Sequence, residues 1–279
     1  MTYRLAYKLS PWVAKHFDKL NWSSLSSNPN AITILTDNLE LIDWKRLSSN
    51  PNAMELLLAN FSKIDLCEFS KNPNAVGYLT KHPELIDWRS LSKNENAVEL
   101  ILANHEKVDT HQLCLNPHPE IIKLLQKRKR RNKNCINWAN ISTNPSAIEF
   151  LYDNFHKINW TSLSSNSAAL DIIIKYPHRV SSIYLSRNPS AINLLMERPE
   201  LIEWRNLSGN PSAIEILKAN QDMIDYVSLS ANPAIFEVDY QRMTSNIQEL
   251  YEDLLKEVMK PSRVFKERDY DYLETLFGD

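Results

Sequence analysis

The densest concentration of charge in the 279-residue chain is Gln126-Lys127-Arg128-Lys129-Arg130-Arg131-Asn132-Lys133-Asn134, with six cations inside seven residues. Such a run can contact phosphates, dock on an acidic partner or act as a nuclear localisation signal. It is equally what a solvated connecting loop looks like, and all of these readings are open. The formal charge of the whole chain is −2, so everything outside the run carries −8. An acidic body makes a poor track for a polyanion along its length, which leaves the run as the place for RNA or DNA to bind.

Elsewhere the reactive vocabulary is thin. The seven His (16, 82, 105, 111, 118, 156 and 178) include no pair at the i, i+3 or i+4 spacing of a helical metal site. His105 and His111 near Cys114 are the closest approach to a metal cluster. Cys67, Cys114 and Cys135 stand far apart and are odd in number, which fits neither zinc nor a disulfide framework and does fit a reducing compartment. Only Gly77, Gly209 and Gly278 are glycine, where a chain of this length usually carries about 20. No two are neighbours, so a P-loop, a dinucleotide fingerprint and a nucleophile elbow are excluded as motifs. The first 17 residues lack the apolar stretch of a signal peptide, and no window approaches the roughly 18 to 20 apolar residues of a membrane span. The expectation is an intracellular soluble protein with no catalytic, metal or cofactor-binding residues.

The elements that position these side chains come from a repeat. Asn-Pro recurs at 28, 50, 72, 116, 144, 188, 210 and 232, while Asn94 and Asn166 keep the register with Glu95 and Ser167 following. Every step is 22 residues except the step from Asn116 to Asn144, which is 28 and contains the basic run. The spacing predicts ten registers of one unit, L-S-x-N-P-x-A-I-x-x-L-x-x-N-x-x-x-I-D-W-x-x. Asn followed by Pro starts a helix, because the Asn side chain caps an orphan amide and Pro loses nothing at the first helical position. Asn28, Asn50, Asn72, Asn94, Asn116, Asn144, Asn166, Asn188, Asn210 and Asn232 are therefore read as structural caps. Apolar residues three, four, six and seven places later (Ala31, Ile32, Ile34, Leu35) mark a helix of about ten residues. A second Asn ten places after the cap (Asn38, Asn60, Asn104, Asn154, Asn220) suits a left-handed helix stop.

Ile42-Asp43-Trp44 and its counterparts then predict a second, very short helix capped by the acidic or amide residue. Asp43, Asp65, Asp87, Asp109 and Asp225 are caps on this reading, not acid–base catalysts. Six of the seven Trp (22, 44, 88, 138, 160 and 204) share one slot. They suit stacking platforms for bases or core positions, and their place in an apolar pattern favours core. The recurrent Ser of Leu-Ser (Ser26, Ser48, Ser70, Ser92) is expected to help cap the following helix. No single unit can bury its own face. The predicted fold is all-α, an α-solenoid or superhelix with helical terminal caps. Residues 1–239 form the solenoid, with an N-terminal cap at 1–20 and a basic insertion at about 126–134. Residues 240–279 form a C-terminal helical cap, with helices at about 240–259 and 263–277.

The tandem Asn-Pro-Asn-Ala-Ile and Ile-Asp-Trp units resemble a repeat family encoded in many paralogous copies by giant and other large DNA viruses. The tail, Asn232-Pro233-Ala234-Ile235-Phe236-Glu237-Val238-Asp239-Tyr240 followed by Pro261-Ser262-Arg263, is similar to that family's ending. The resemblance implies a viral protein acting in the host cytoplasm, a viral factory, the nucleus or the virion, and it brings no catalytic residues. Function is then expected where the repeats vary. Lys45, Arg46, Lys71, Arg89 and Lys93 would share one strip, and Lys127, Arg128, Lys129, Arg130, Arg131 and Lys133 would form a basic loop. The expected role is a non-enzymatic scaffold for a viral or host protein partner, without membrane or small-molecule substrate. The alternatives are a nucleic-acid or ribonucleoprotein component using the basic loop, or a virion structural protein.

Overall fold

The computed structural model describes residues 5–132 and 134–258. Residues 8–237 form one compact unit, and the described residues outside it, 5–7 and 238–258, belong to a second. The first unit is an all-α repeat solenoid of short helices in regular succession. Most Asn-Pro steps begin a 3₁₀ turn that passes into an α-helix, as in Pro29–Ala31 followed by Ile32–Thr36; after Asn116 the helix Pro119–Arg131 starts without one, and the turn Pro233–Ile235 runs into a strand. A second 3₁₀ turn, Leu39–Leu41, leads to the short helix Trp44–Ser48.

The predicted caps form. In all ten registers the Asn Oδ1 accepts from the amide two residues on, at 3.0–3.1 Å. The short helices are capped in the same way, Asp43 Oδ1 accepting from the Arg46 amide at 3.1 Å. Three apolar slots are fully enclosed. They are the Ala three after the cap (Ala31, Ala53, Ala213), the Leu or Ile seven after it (Leu35, Leu57, Leu217), and the Leu three before it (Leu25, Leu47, Leu207). Burying each Leu contributes about 1.5–3 kcal/mol. Ala is suited to its slot because successive 3₁₀ turns pack directly against one another there.

Polar side chains stitch the repeats together. Each cap Asn also donates from Nδ2 to two carbonyls of the preceding repeat, as Asn50 does to Ser26 at 3.0 Å and to Asn28 at 2.9 Å. The Ser of Leu-Ser has a double role in most repeats. Ser26 Oγ donates to the Trp22 carbonyl at 2.8 Å and accepts from the amide of Asp43, one repeat on, at 3.0 Å. The Ser therefore joins repeats and does not cap the helix that follows it. These buried groups are satisfied by bonds, which is what makes a polar ladder tolerable in a core.

The ladder has no end. Asn28, the first cap in the chain, donates to the carbonyls of Ser230 at 2.9 Å and Asn232 at 3.0 Å. The Asn21 amide donates to Ser230 Oγ at 2.9 Å, and Asn30 Nδ2 to the Pro233 carbonyl at 3.0 Å. The solenoid of residues 8–237 thus closes into a ring of ten units. The tenth unit is split. Asn232 and the 3₁₀ turn Pro233–Ile235 supply its start, while Pro11–Ala14, Phe17–Lys19 and Trp22–Ser27 supply the remainder. Val13 is buried in the slot that Leu35 occupies one repeat later. Residues 11–20, expected to cap an open end, instead complete this unit. The strands Tyr7–Leu9 and Phe236–Val238 pair at the join, where the Ser10 amide also donates to the Ile235 carbonyl at 2.9 Å.

Two backbone expectations are corrected. No described residue has positive φ, so Asn38, Asn60, Asn104, Asn154 and Asn220 do not stop their helices in the left-handed region. Asn60 lies at φ −128°, and its Nδ2 donates to the Leu56 carbonyl at 3.0 Å, capping the helix end with its side chain. The basic run is not a loop either, since Gln126–Arg131 is the last part of a 13-residue helix, Pro119–Arg131. His118 caps this helix, its Nδ1 accepting from the Glu120 amide at 3.3 Å. The insertion leaves the ladder unbroken, because Asn144 still reaches the carbonyls of Cys114 and Asn116 at 2.9 and 2.8 Å.

In the second unit, Tyr240–Val258 is a single helix, matching the expected 240–259. It starts at Asp239, whose Oδ1 accepts from the Arg242 amide at 3.1 Å. Tyr240, Ile247, Tyr251, Leu254 and Leu255 are exposed along it. The expected helix at 263–277 and the Pro261-Ser262-Arg263 motif lie outside the described residues.

Candidate functional site

The basic helix end divides into fixed and available cations. Arg128 hydrogen-bonds with the Thr110 hydroxyl and the His105 carbonyl. Lys129 bonds to Asn154 Oδ1 and lies over the rings of Trp138 and Phe150, at 5.5 and 5.1 Å from their centroids. Both are therefore tied into the neighbouring repeats. Lys127, Arg130 and Arg131 have no hydrogen bond or ion pair with the described residues. Lys133 lies outside the described residues.

The predicted strip is a mixed cluster and not a bare cationic face. Lys45 and Arg46 are exposed on the Trp44–Ser48 helix beside Asp43. The Ser23 hydroxyl, the Arg46 and Lys45 amides and the Arg46 charge together hold the Asp43 carboxyl below its ordinary range, against the opposing effect of burial. Lys71 is paired with Glu68, and Arg89 Nε lies 3.8 Å from Asp109. Lys93 is half-buried between them. Burial, then the adjacent Lys71 charge, pushes its amine below the usual lysine range, with Glu68 and Asp109 opposing. Lys71, Arg89 and Lys93 thus come together with two carboxylates, and only Lys45 and Arg46 project free of such a cluster.

All six Trp of the slot are half-buried, so the expectation that these rings are core is corrected. The sequence carries a signal for what covers them. The residue thirteen after each cap is cationic in several repeats, and it lies over the aromatic ring of the repeat before. Lys63 sits 4.3 Å from the Trp44 centroid, Lys107 5.0 Å from Trp88, and Arg179 5.0 Å from Trp160. Lys19 completes the series across the join, 5.0 Å from the Tyr226 centroid. Such contacts contribute about 0.5–1 kcal/mol each at exposed sites.

The one cleft associated with the insertion was not anticipated. It has a volume of about 850 Å³ and lies between the end of the basic helix and the next repeat, with Lys129, Arg130, Trp138, Phe150, Asp153 and Lys157 among its lining. Trp138 and Phe150 stack in parallel, with centroids 5.8 Å apart.

His105 and His111 do not assemble a metal shell with Cys114. Cys114 takes the Ser position of the ladder, its Sγ donating to the Thr110 carbonyl at 3.3 Å. Burial, the largest influence, pushes its thiol up to about 11. His105 is exposed and meets Glu106 at 2.8 Å. Among the described residues no three His, Cys, Asp or Glu side chains converge as metal ligands, and no helix is long and apolar enough to cross a membrane. No family model, curated protein or solved structure matches the chain.

Proposed function

We propose that the chain is a non-enzymatic scaffold whose closed ring presents its variable side chains to a protein partner. The observation that carries this reading is the commitment of the constant polar residues. The cap Asn, the Leu-Ser hydroxyls and the Asp caps are engaged in hydrogen bonds within and between repeats, as Asn50, Ser26 and Asp43 are. What remains to meet another molecule is the exposed set that differs between units, led by Lys45 and Arg46 after Trp44, and by Lys127, Arg130 and Arg131. These cations favour an acidic partner surface. The resemblance to repeat proteins of large DNA viruses supports looking for that partner in infected cells, in the cytoplasm, viral factory, nucleus or virion.

The reading is tested by isolating the tagged chain from infected cells and measuring binding of each recovered protein to the purified chain. A stoichiometric partner whose affinity falls in the Lys45→Glu, Arg46→Glu variant is the expected result. Recovery of no stable partner counts against the scaffold. The unpaired cations Lys127, Arg130 and Arg131 favour a second reading, contact with RNA. Salt titration decides between the two: RNA affinity that falls steeply with salt, and disappears when these three are neutralised, makes the pure protein scaffold wrong.

A further inference from the structure

The cleft at the insertion uses its cations differently from the junctions that set a cation over an aromatic ring. Where the residue thirteen after the cap is cationic it covers the aromatic ring of the preceding repeat, as Lys63, Lys107 and Arg179 do, and as Lys19 does across the join. Lys157 holds that slot in the repeat capped by Asn144, and Trp138 is the ring it would cover. Here Lys129 from the lengthened helix takes the place over Trp138. Lys157 is displaced from its structural task, and it lines the cleft with no hydrogen bond or ion pair among the described residues. Arg130 lines the same cleft, equally without a partner. The insertion has therefore added one cation to this junction and released another.

The charge and shape of the cleft specify a ligand class. Among the described lining residues, Lys129, Arg130 and Lys157 against Asp153 leave two net positive charges, His156 aside. A phosphomonoester carries about −1.5 to −2 near neutral pH, which matches this balance. The carbonyl end of the Pro119–Arg131 helix opposes an anion by roughly half a charge, less than the cations supply. One wall is the half-buried Trp138, backed by the buried Phe150 on which it stacks and partly covered by Lys129, and its open part is an apolar surface for the carbon part of a ligand. The volume of about 850 Å³ falls in the roughly 300–1,000 Å³ range of small-molecule sites. We propose that this cleft binds a small organic phosphomonoester, with Arg130 and Lys157 on the phosphate and the open part of Trp138 against its ring or carbon skeleton. The ligand is bound and not transformed, and the inference stands independently of the scaffold reading.

The test is calorimetric titration of the full chain at about 0.15 M salt, where the Debye length is about 8 Å, with AMP, adenosine and inorganic phosphate. AMP is expected to saturate one site, inorganic phosphate to bind more weakly, and adenosine not to bind. The Arg130→Gln, Lys157→Gln double variant should weaken AMP at least about tenfold, because two charge-assisted contacts are lost. Lys127→Gln, on the same helix but outside the lining, should leave affinity within about twofold, since a solvated charge at that distance is largely screened. Both side chains of the double variant are exposed and unpartnered, so an unchanged melting temperature confirms that it folds. The proposal is overturned by failure of AMP to saturate at low millimolar concentration, by adenosine binding equally well, or by Lys127→Gln weakening AMP as much as the double variant does. Inorganic phosphate matching AMP would remove the aromatic wall from the site.

Discussion

Closure of the ring makes a quantitative difference at one residue. Asn28 and Asn188 have the same local chemistry, each accepting one amide bond as a cap and donating two bonds to a neighbouring repeat. Asn188 donates to Ser164 and Asn166 at 3.1 and 3.0 Å, and Asn28 to Ser230 and Asn232 at 2.9 and 3.0 Å. Replacement by Ala removes a cap of about 1 kcal/mol and two buried bonds of about 1 kcal/mol each. Asn188→Ala should therefore cost about 3 kcal/mol whether the solenoid is open or closed. Asn28→Ala should cost the same only if the first and last units are joined. In an open superhelix the Ser230 and Asn232 carbonyls would not reach Asn28, and the loss would be the cap alone, about 1 kcal/mol. Urea unfolding followed by far-UV circular dichroism measures both variants against the parent. Equal losses near 3 kcal/mol are expected, and a loss near 1 kcal/mol at Asn28 beside 3 at Asn188 would refute closure in solution.

Other consequences can be measured on the same preparation. Asn60→Gly should destabilise by about 1 kcal/mol, because the side-chain bond to Leu56 is lost and the backbone has no use for positive φ; a left-handed stop would give the opposite sign. Gly77→Ala should stabilise by about 0.5–1 kcal/mol, since a Cβ meets nothing within 4 Å in the Val76–Lys81 helix. The buried Cys114 thiol contributes a pH dependence of defined sign. Its pKa is raised from an ordinary value near 9 to about 11, so its contribution is fully present below pH 9 and is lost as pH rises through 11. The loss should be roughly 2–3 kcal/mol, read as the difference in unfolding free energy between the parent and Cys114→Ser, which cancels the other titrating groups. A flat difference across that window would contradict the burial.

The repeat, its two caps and its apolar slots were legible because each depends on residues within one unit. Asn28-Pro29 and Asp43 announce their caps through local stereochemistry that any helix start shares. The second use of each Asn was not legible, because Nδ2 donates to carbonyls some 22 residues back and a single unit holds no trace of the acceptor. The cations of the aromatic series were visible as Lys63, Lys107 and Arg179 at one register, but only the neighbouring Trp explains them. The two ends of the repeat array carry a sign of closure. Lys19-Leu20-Asn21-Trp22 begins partway through a unit and Asn232-Pro233-Ala234-Ile235 stops partway through one, and the two fragments add up to a whole. In the basic run the charge density obscures a helix that is capped at His118 and anchored by Ile121, Ile122 and Leu125, all buried.

The split unit also fixes how this protein can change over generations. An open array accepts the gain or loss of a whole repeat, since each unit touches only its neighbours and the ends are free. Here a duplicated 22-residue segment would leave Ser230 and Asn232 displaced from Asn21 and Asn28, and the shared curvature of every junction would have to relax to bring them back. Copy number is therefore a property of the whole ring, and length variation is steered into places that do not alter the count. The extra six residues between Asn116 and Asn144 are such a place: they lengthen one helix outward and leave the number of units at ten.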